Sequence, residues 1–419
     1  MDSIIYFMVG LLPDNTRNRH FSKIYYLFLR IKCSELWNFC EIHLVNIVNC
    51  VVQYNVTLQK GRFIMRYRSD KLLNQLAEKN IDSAIITSAV NRRYYSGFTG
   101  SNGVVILTAK GRVLLTDFRY TIQANRQCAG ICEVRQVNRG IGAADVEAVL
   151  KEFGAKRVAF EDAALTVSEF EAYKTMPFEL IPDSEAINGG RLVKDADEIA
   201  EMQRAQSIAD AAFTDLLKVV KVGMTEKEVR NELDYYIRRH GADENSFDTI
   251  VGSGPNGALC HAYPGERKLQ NGDFVVIDFG ARVNGYCSDM TRTIAIGKPC
   301  DELLKIYDIV LKAQLKCLEV LRPNMVASEL DLTARNFIAE NGYGECFGHS
   351  LGHGFGLEIH ENPYANSRSQ ELLVPGTTIT VEPGIYIEGL GGVRIEDCCV
   401  LTEDGYINLC TTTKELIIL

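Results

Sequence analysis

The sequence is poor in several features that would point to particular protein classes. It has one tryptophan (Trp37) and seven histidines in 419 residues, and its 54 acidic residues outnumber its 45 basic ones, giving a formal net charge of −9. That sign argues against a protein that coats nucleic acid. The longest apolar stretch near the start, residues 4–12, is about half of the ~20 residues that cross a bilayer, and no cleavage site follows it. We expect a cytoplasmic protein with neither nucleic-acid nor membrane partners.

Paired cysteine spacings are also missing. The 13 cysteines are diluted in a long chain, without any CxxC spacing, so reduced thiols are a better interpretation than a disulfide scaffold. We interpret the four that flank the candidate site residues named below as packing residues: Cys260, Cys287, Cys398 and Cys399. An HExxH motif is absent, and the glycine-rich run 97–103 lacks the lysine of a phosphate-binding loop.

The composition that remains is that of an average globular chain, with 46% apolar and 24% charged residues. At about 150 residues per domain, the length favours two or three domains. Residues 1–64 differ from the rest: they contain no alanine, only two of the 34 glycines, and a charge of +3 against −12 for residues 65–419. Our hypothesis is that Met65 is the natural start and that 1–64 is an atypical extension outside the native fold. A small accessory element is the alternative.

The residues after Met65 divide into two predicted domains. In residues 65–193, strand-like runs such as 103–107 and 112–116 alternate with helical runs such as 144–153, which predicts an α/β domain. A charged cluster at 194–201 opens a long amphipathic run. We therefore place a second domain at 194–419.

This second domain contains an internal repeat. Residues 221–241 align with 322–342 at a shift of 101, and 272–280 align with 376–384 at a shift of 104, which pairs Asp278 with Glu382. A duplicated half-domain explains both matches and predicts approximate two-fold symmetry, with the functional site between the halves.

A predicted hairpin brings two acids together. Asp278 ends an apolar run, and Asp289 follows an Asn284-Gly285 step, the strongest short hairpin signal. With these two residues at the centre of the turn, Asp278 lies opposite Thr291, and Asp289 lies two residues along on the same face. Two carboxylates on an apolar strand repel each other, so they need a cation or a shared proton.

Further acids and histidines extend this pair into a candidate metal site. Glu382 is the repeat equivalent of Asp278, Glu396 lies in another strand-like run, and His353 lies in a glycine-rich run. Four acids with one imidazole can hold two divalent ions about 3.5 to 4 Å apart. Three more histidines lie in the same half of the chain: His261, His349 and His360.

Four segments carry a resemblance to a known family. They are VVIDFGARVNGYCSDMTRT (275–293), GHSLGHGFGLEIHE (348–361), TVEPGIY (380–386) and GVRIED (392–397). Together they resemble the metal-dependent pita-bread peptidases, especially Xaa-Pro aminopeptidases (aminopeptidase P) and prolidases. SGFTGSNG (96–103) resembles the N-terminal domain of the same proteins. The resemblance implies an α/β creatinase/prolidase-like domain, followed by an α+β pita-bread catalytic domain.

The resemblance also assigns roles to individual residues. It implies five metal ligands, of which Asp289 and Glu396 bridge two ions: Asp278, Asp289, His353, Glu382 and Glu396. It places His261, His349, His360 and Arg394 around the substrate, with catalytic roles for His261, His360 and Glu382. The implied cofactor is a pair of divalent ions, foremost Mn²⁺, with Co²⁺, Zn²⁺ and Fe²⁺ as alternatives. A homodimer is also implied.

The function expected from these residues is hydrolysis of the Xaa-Pro bond at the N-terminus of short peptides, as in an Xaa-Pro aminopeptidase. A prolidase, which cleaves Xaa-Pro dipeptides, shares the same ligands and is the first alternative. A methionine aminopeptidase shares them too, but usually lacks a large N-terminal domain. A non-catalytic binding module on the same fold is a more distant alternative, because such relatives have lost ligands that are present here.

Overall fold

The computed structural model describes residues 64–419, and Arg68–Leu419 form one compact unit. Residues 1–63 lie outside this range, so the hypothesis that 1–64 is an extension stays a prediction. The domain boundary at 193/194 also stays a prediction. None of the helices described is long and apolar enough to cross a membrane. The helices are α1 (64–78), α2 (Ala89–Ser96), α3 (Thr121–Gln127), α4 (Ala143–Phe153), α5 (Val167–Tyr173), α6 (Ser184–Gly189), α7 (Ala196–Leu216), α8 (Glu226–Arg239), α9 (Asp301–Val320) and α10 (Ala327–Glu340).

Most of the strands are short, and they are numbered in chain order. They are β1 (Ser83–Ile86), β2 (Val104–Thr108), β3 (Gly111–Asp117), β4 (Glu133–Val137), β5 (Arg157–Phe160), β6 (Glu179–Pro182), β7 (Glu244–Asn245), β8 (Ile250–Ser253), β9 (Phe274–Phe279), β10 (Ala281–Val283), β11 (Tyr286–Cys287), β12 (Met290–Ala295), β13 (Met325–Val326), β14 (Gly352–Gly354), β15 (Glu361–Ala365), β16 (Leu372–Leu373), β17 (Thr378–Val381), β18 (Gly384–Ile387), β19 (Gly391–Arg394), β20 (Asp397–Leu401) and β21 (Tyr406–Asn408).

The N-terminal part is built on one mixed sheet of six strands in the order β4-β3-β2-β1-β5-β6. Side chains alternate between its two faces, and apolar clusters cover both of them. Ala84 and Ile86 of β1 belong to one cluster, and Ile85 belongs to the other. The α/β class expected for this part of the chain is confirmed.

The C-terminal part consists of two halves with separate apolar cores. In the first half, α8 packs Val229 and Leu233 in the same core as Val275 of β9. In the second half, α10 packs Leu330 in the same core as Ile379 of β17. The helix and the strand that the repeat predicts are therefore present in both halves, and the α+β class is confirmed.

The predicted hairpin register is also confirmed. Asn284 and Gly285 have φ angles of 46° and 78°, as a tight hairpin turn with two left-handed residues requires. Val283 pairs with Tyr286 on either side of this turn, and Asp278 of β9 pairs with Thr291 of β12. This register places Asp289, immediately before β12, diagonally across from Asp278.

Candidate metal centre and substrate cavity

The four predicted acidic ligands lie at or next to strand ends in both halves of the C-terminal part. Asp278 lies near the end of β9 and Asp289 directly precedes β12, whereas Glu382 follows β17 and Glu396 connects β19 to β20. His353 is the central residue of β14. All five line one cavity of about 510 Å³, which is within the usual size range of a small-molecule site.

Three of these side chains are placed closely enough to share one ion. Asp289, His353 and Glu396 each offer a ligand atom, and these atoms lie within 4.8 Å of one another. Nε2 of His353 lies 3.5 Å from Asp289 Oδ2 and 3.5 Å from Glu382 Oε1. Glu382 and Asp278 line the same cavity. The side chains are therefore close enough to act as one centre.

The electrostatics of the cluster favour a bound cation. Burial, and next the neighbouring Glu396 and Asp278, raise the pKa of Asp289 well above its usual value. Burial raises the pKa of Glu382 to about 8, and the pKa of Glu396 is raised by burial and then by Glu382. The buried oxygen Oδ1 of Asp278 has no hydrogen-bond partner among the described residues. A divalent ion would relieve this repulsion, so the donor set fits one.

His353 has the properties of a metal ligand. Burial, and then the adjacent His360, lower its pKa to about 4, so the imidazole is neutral at physiological pH. Its Nδ1 lies 3.0 Å from the carbonyl oxygen of Gly354, which can only accept, so Nδ1 carries the proton. Nε2 therefore presents a lone pair to the acids.

Two threonines that the sequence reasoning missed hold the carboxylates. The hydroxyl of Thr291 donates to Glu396 Oε2 at 2.7 Å. Thr380 Oγ1 lies 3.1 Å from Glu382 Oε1 and accepts from the backbone N–H of His353 at 3.0 Å. The only sequence signal for them is a polar residue inside an otherwise apolar strand. Thr380 lies two residues before the ligand Glu382, and Thr291 lies opposite the ligand Asp278.

Arg394 contacts protein groups in this structure. Its Nη2 donates to Asp278 Oδ2 at 2.5 Å and its Nε donates to Thr291 Oγ1 at 3.0 Å. Its Nη1 donates to the carbonyl oxygen of Cys260 at 3.0 Å and to the hydroxyl of Tyr386 at 2.9 Å. Because every guanidinium nitrogen already has a protein partner, the predicted substrate contact of Arg394 stays a prediction.

The three other predicted histidines surround the acids. His349 lies 2.9 Å from the hydroxyl of Tyr386 through its Nε2, and burial, followed by the charge of Arg394, lowers its pKa to about 4. The ring of His360 lies 4.4 Å from that of His353, and its pKa is lowered by burial and then by His261. His261 is exposed on a loop that lines the cavity. Tyr386, which connects His349 to Arg394, ends the TVEPGIY segment, but no role was predicted for it from the sequence.

The cysteines flanking the site occupy different environments. All ten described cysteines are free, and three of the four near the site are buried: Cys287, Cys398 and Cys399. The thiol of Cys398 donates to the carbonyl oxygen of Asp289 at 2.9 Å. Cys260 lines the cavity.

Comparisons with known proteins agree with this geometry. The family model for the creatinase/prolidase N-terminal domain matches residues 68–193, and that of metallopeptidase family M24 matches residues 200–403. A Bacillus subtilis protein named uncharacterized peptidase YqhT is 43% identical over 352 residues, covering 84% of this chain and 99% of that protein.

Two solved structures are similar over their full length. The Xaa-Pro dipeptidase from Bacillus anthracis is 44% identical with a TM-score of 0.82, and the match covers 85% of this chain and 100% of that one. The X-Pro aminopeptidase from Thermotoga maritima MSB8 is 37% identical with a TM-score of 0.78, covering 84% and 100%. The resemblance inferred from the sequence motifs is confirmed. With the two-domain match, the shared fold and a clustered Asp, His and Glu site, this hydrolase belongs to metallopeptidase family M24.

Proposed function

We propose that this protein is an Xaa-Pro dipeptidase that cleaves the bond before proline in dipeptides. The observation that carries the proposal is the cavity of about 510 Å³, in which carboxylates from both halves of the catalytic part lie beside four histidines. The choice of a dipeptide is supported by the 44% identity and TM-score of 0.82 to the Bacillus anthracis Xaa-Pro dipeptidase.

The cofactor in this proposal is a pair of divalent ions, with Mn²⁺ as the foremost candidate. Carboxylate and imidazole ligands suit Mn²⁺, Co²⁺, Fe²⁺ and Zn²⁺ alike. Asp278, Asp289, His353, Glu382 and Glu396 would hold them, with Asp289 and Glu396 bridging. Two ions in such a site lower the pKa of a water molecule and polarise the scissile carbonyl.

The protein's own residues supply proton transfer and charge stabilisation. Glu382 lines the cavity beside the other predicted ligands, a position from which a carboxylate can exchange protons with a water molecule. In the proposed reaction Glu382 accepts a proton from the attacking water and delivers it to the proline nitrogen as the C–N bond breaks. His261 and His360 donate hydrogen bonds to the substrate carbonyl oxygen, where negative charge develops. His349 and Arg394 complete the predicted substrate-binding set.

An Xaa-Pro aminopeptidase acting on short peptides is the second candidate. Leu259 and Tyr263 belong to the loop that carries His261 and are 60% and 75% exposed. This apolar surface beside the cavity offers contacts to a peptide longer than two residues. The Thermotoga maritima structure, at 37% identity, carries the corresponding name.

Paired substrates separate the two candidates. Metal-stripped protein reloaded with Mn²⁺ would be given Ala-Pro and Ala-Pro-Ala, with Ala-Ala as the control for proline specificity. The proposal predicts cleavage of Ala-Pro with a much higher kcat/KM than Ala-Pro-Ala. Preference for the tripeptide, with release of its first residue, would establish the aminopeptidase instead. The same assay would be repeated with Co²⁺, Fe²⁺ and Zn²⁺. No cleavage of any of the three peptides with any of the four metals would contradict both the dipeptidase and the aminopeptidase proposals. The homodimer and the cytoplasmic location stay predictions.

A further inference from the structure

A fully buried acid lies outside the metal centre and binds the two ends of one loop. Glu226 is the first residue of α8 and has no exposed surface. Its Oε1 accepts from the backbone N–H and the hydroxyl of Ser253, at 2.8 and 2.7 Å. Its Oε2 accepts from the backbone N–H of Gly265 at 3.0 Å, and the Asn256 side chain lies 3.1 and 3.2 Å from the two oxygens. One carboxylate therefore closes the loop from residue 253 to residue 265.

This loop carries His261, the predicted oxyanion-binding residue. Its inner part lies against β19, where a Cβ on Gly392 would be 2.0 Å from the carbonyl oxygen of Gly257. The carbonyl oxygen of Cys260 accepts from Arg394 Nη1 at 3.0 Å. The residue preceding His261 is thus bonded directly to the guanidinium that contacts Asp278.

The outer part of the loop has two internal backbone hydrogen bonds, from Leu259 N–H to the Asn256 carbonyl and from Ala262 N–H to the Leu259 carbonyl, but several of its side chains face solvent. His261 is exposed, as are its neighbours Leu259 and Tyr263. The position of His261 therefore depends on the anchors of the loop, which are the bond from Arg394 to Cys260 and the bonds from Glu226 to Ser253 and Gly265. A flexible segment whose ends are fixed has fewer conformations, and a misplaced catalytic group costs rate steeply.

We propose that Glu226 is a positioning residue that fixes His261 over the substrate cavity by holding both ends of the loop. Glu226 does not line the cavity, so it acts through the loop and not by contact with substrate. The inference rests on the proposed function in one respect, which is that His261 contacts the substrate.

Glu226→Gln is the direct test, because it keeps the shape of the side chain and replaces one acceptor oxygen by an amide donor. That donor would face N–H groups, leaving buried donors unpaired. We expect about a tenfold fall in kcat on Ala-Pro, with unchanged bound metal and faster amide hydrogen exchange at residues 253–265. Glu232→Gln, further along the same helix and away from its capping residues, is the matched control and should leave kcat and loop exchange unchanged.

A double-mutant cycle distinguishes positioning from general destabilisation. If Glu226 acts through His261, Glu226→Gln should have almost no further effect on kcat in a His261→Ala background. Equal losses in both backgrounds would overturn the proposal. Unchanged loop exchange in Glu226→Gln would overturn it independently of activity. Full activity of His261→Ala alone would instead remove the role assigned to His261.

A milder variant guards against misfolding. Ser253→Ala removes one hydroxyl donor and leaves the carboxylate in place. It should raise loop exchange and lower kcat in the same direction as Glu226→Gln, by a smaller factor. If Glu226→Gln fails to fold, an unchanged loop exchange and kcat in Ser253→Ala would contradict the proposal.

Discussion

The two halves of the catalytic part fasten a histidine-bearing segment to their repeated helix in different ways. In the first half, Glu226 accepts directly from the loop that carries His261. In the second half, Asp331 of α10 accepts from the backbone N–H of Leu351 at 3.0 Å and holds Arg335 by two bonds of 2.8 Å. Arg335 in turn donates to the carbonyl oxygen of His349 at 2.8 Å. The helix side chain that holds the loop is a carboxylate in the first half, whereas the second half uses a carboxylate and a guanidinium.

The residues that do this are not equivalent in the repeat. At the shift of 101, Glu226 aligns with Ala327 and Asp331 aligns with Arg230. In both halves, therefore, a buried carboxylate on the helix accepts from the backbone of the histidine-bearing segment, but the two carboxylates occupy different positions of the repeat. A buried carboxylate on the helix recurs because loop N–H groups facing an apolar core need an acceptor.

The acids at the strand ends show a second difference between the halves. Asp278, in the first half, accepts from Arg394 at 2.5 Å. Its repeat equivalent Glu382 lies farther from the same guanidinium, with 4.0 Å between Glu382 Oε2 and Arg394 Nε. Burial raises the pKa of Glu382 to about 8. Equivalent acids therefore differ in how closely the shared guanidinium contacts them.

The largest effect should come from removing one shared ligand from either half. Asp289→Asn in the first half and Glu396→Gln in the second should each abolish metal loading and turnover, because each replaces a charged ligand oxygen with an amide. Metal content measured by mass spectrometry and kcat on Ala-Pro test this. Asp404→Asn, in an exposed turn, is the control. Full metal loading and activity in either ligand variant would refute its bridging role.

An intermediate effect is expected for the pH dependence of the metal-free protein. Because the pKa of Glu382 is raised to about 8 in the folded state, the folded protein keeps a proton that the unfolded chain releases. The free energy of unfolding should therefore fall as pH rises towards 8, by up to about 1.4 kcal/mol per pH unit, and level off above it. His353, whose pKa is lowered to about 4, acts oppositely and only below about pH 6.5.

Urea unfolding of metal-stripped protein between about pH 6.5 and 8 therefore isolates the carboxylates. Glu382→Gln should show a shallower loss than the unsubstituted protein, whereas the exposed Glu403→Gln should not. Identical slopes for Glu382→Gln and the unsubstituted protein would show that Glu382 carries no extra proton in the folded, metal-free state.

The smallest effect should come from the guanidinium in the second half. Arg335→Lys keeps the charge but loses the two-pronged bond to Asp331 and the bonds to the carbonyl oxygens of Phe347 and His349. We expect up to about a tenfold fall in kcat/KM, without loss of metal. Arg322→Lys, at an exposed position, is the control. A fall equal to that of Asp289→Asn would mean that Arg335 supports the metal centre itself.

Much of the fold and the site could be predicted from local sequence signals. The Asn284-Gly285 step fixed the register of β9 and β12, because only a two-residue turn with left-handed residues suits it. The five predicted ligands line one cavity, since acids at the ends of apolar strands have few other stable environments. The repeat identified the helix and strand that recur in both halves.

Other features could not be predicted, because they depend on contacts between segments far apart in the sequence. Tyr386 contacts His349 and Arg394 only once β18 and β19 pair. Arg394 was predicted from the resemblance to contact substrate, but the folded chain surrounds its guanidinium with Asp278, Thr291 and the loop carbonyl of Cys260. Neither side chain carries a local pattern that reveals its partner.

The division of the ligands between the two halves bears on how the protein is made. Asp278 and Asp289 leave the ribosome about a hundred residues ahead of Glu382 and Glu396, at the ordinary synthesis rate of about 5–20 residues per second. During that interval the first two acids have no partners from the second half. Metal capture can therefore report that synthesis has passed Glu396, because a chain released before that residue lacks at least one of the five predicted ligands.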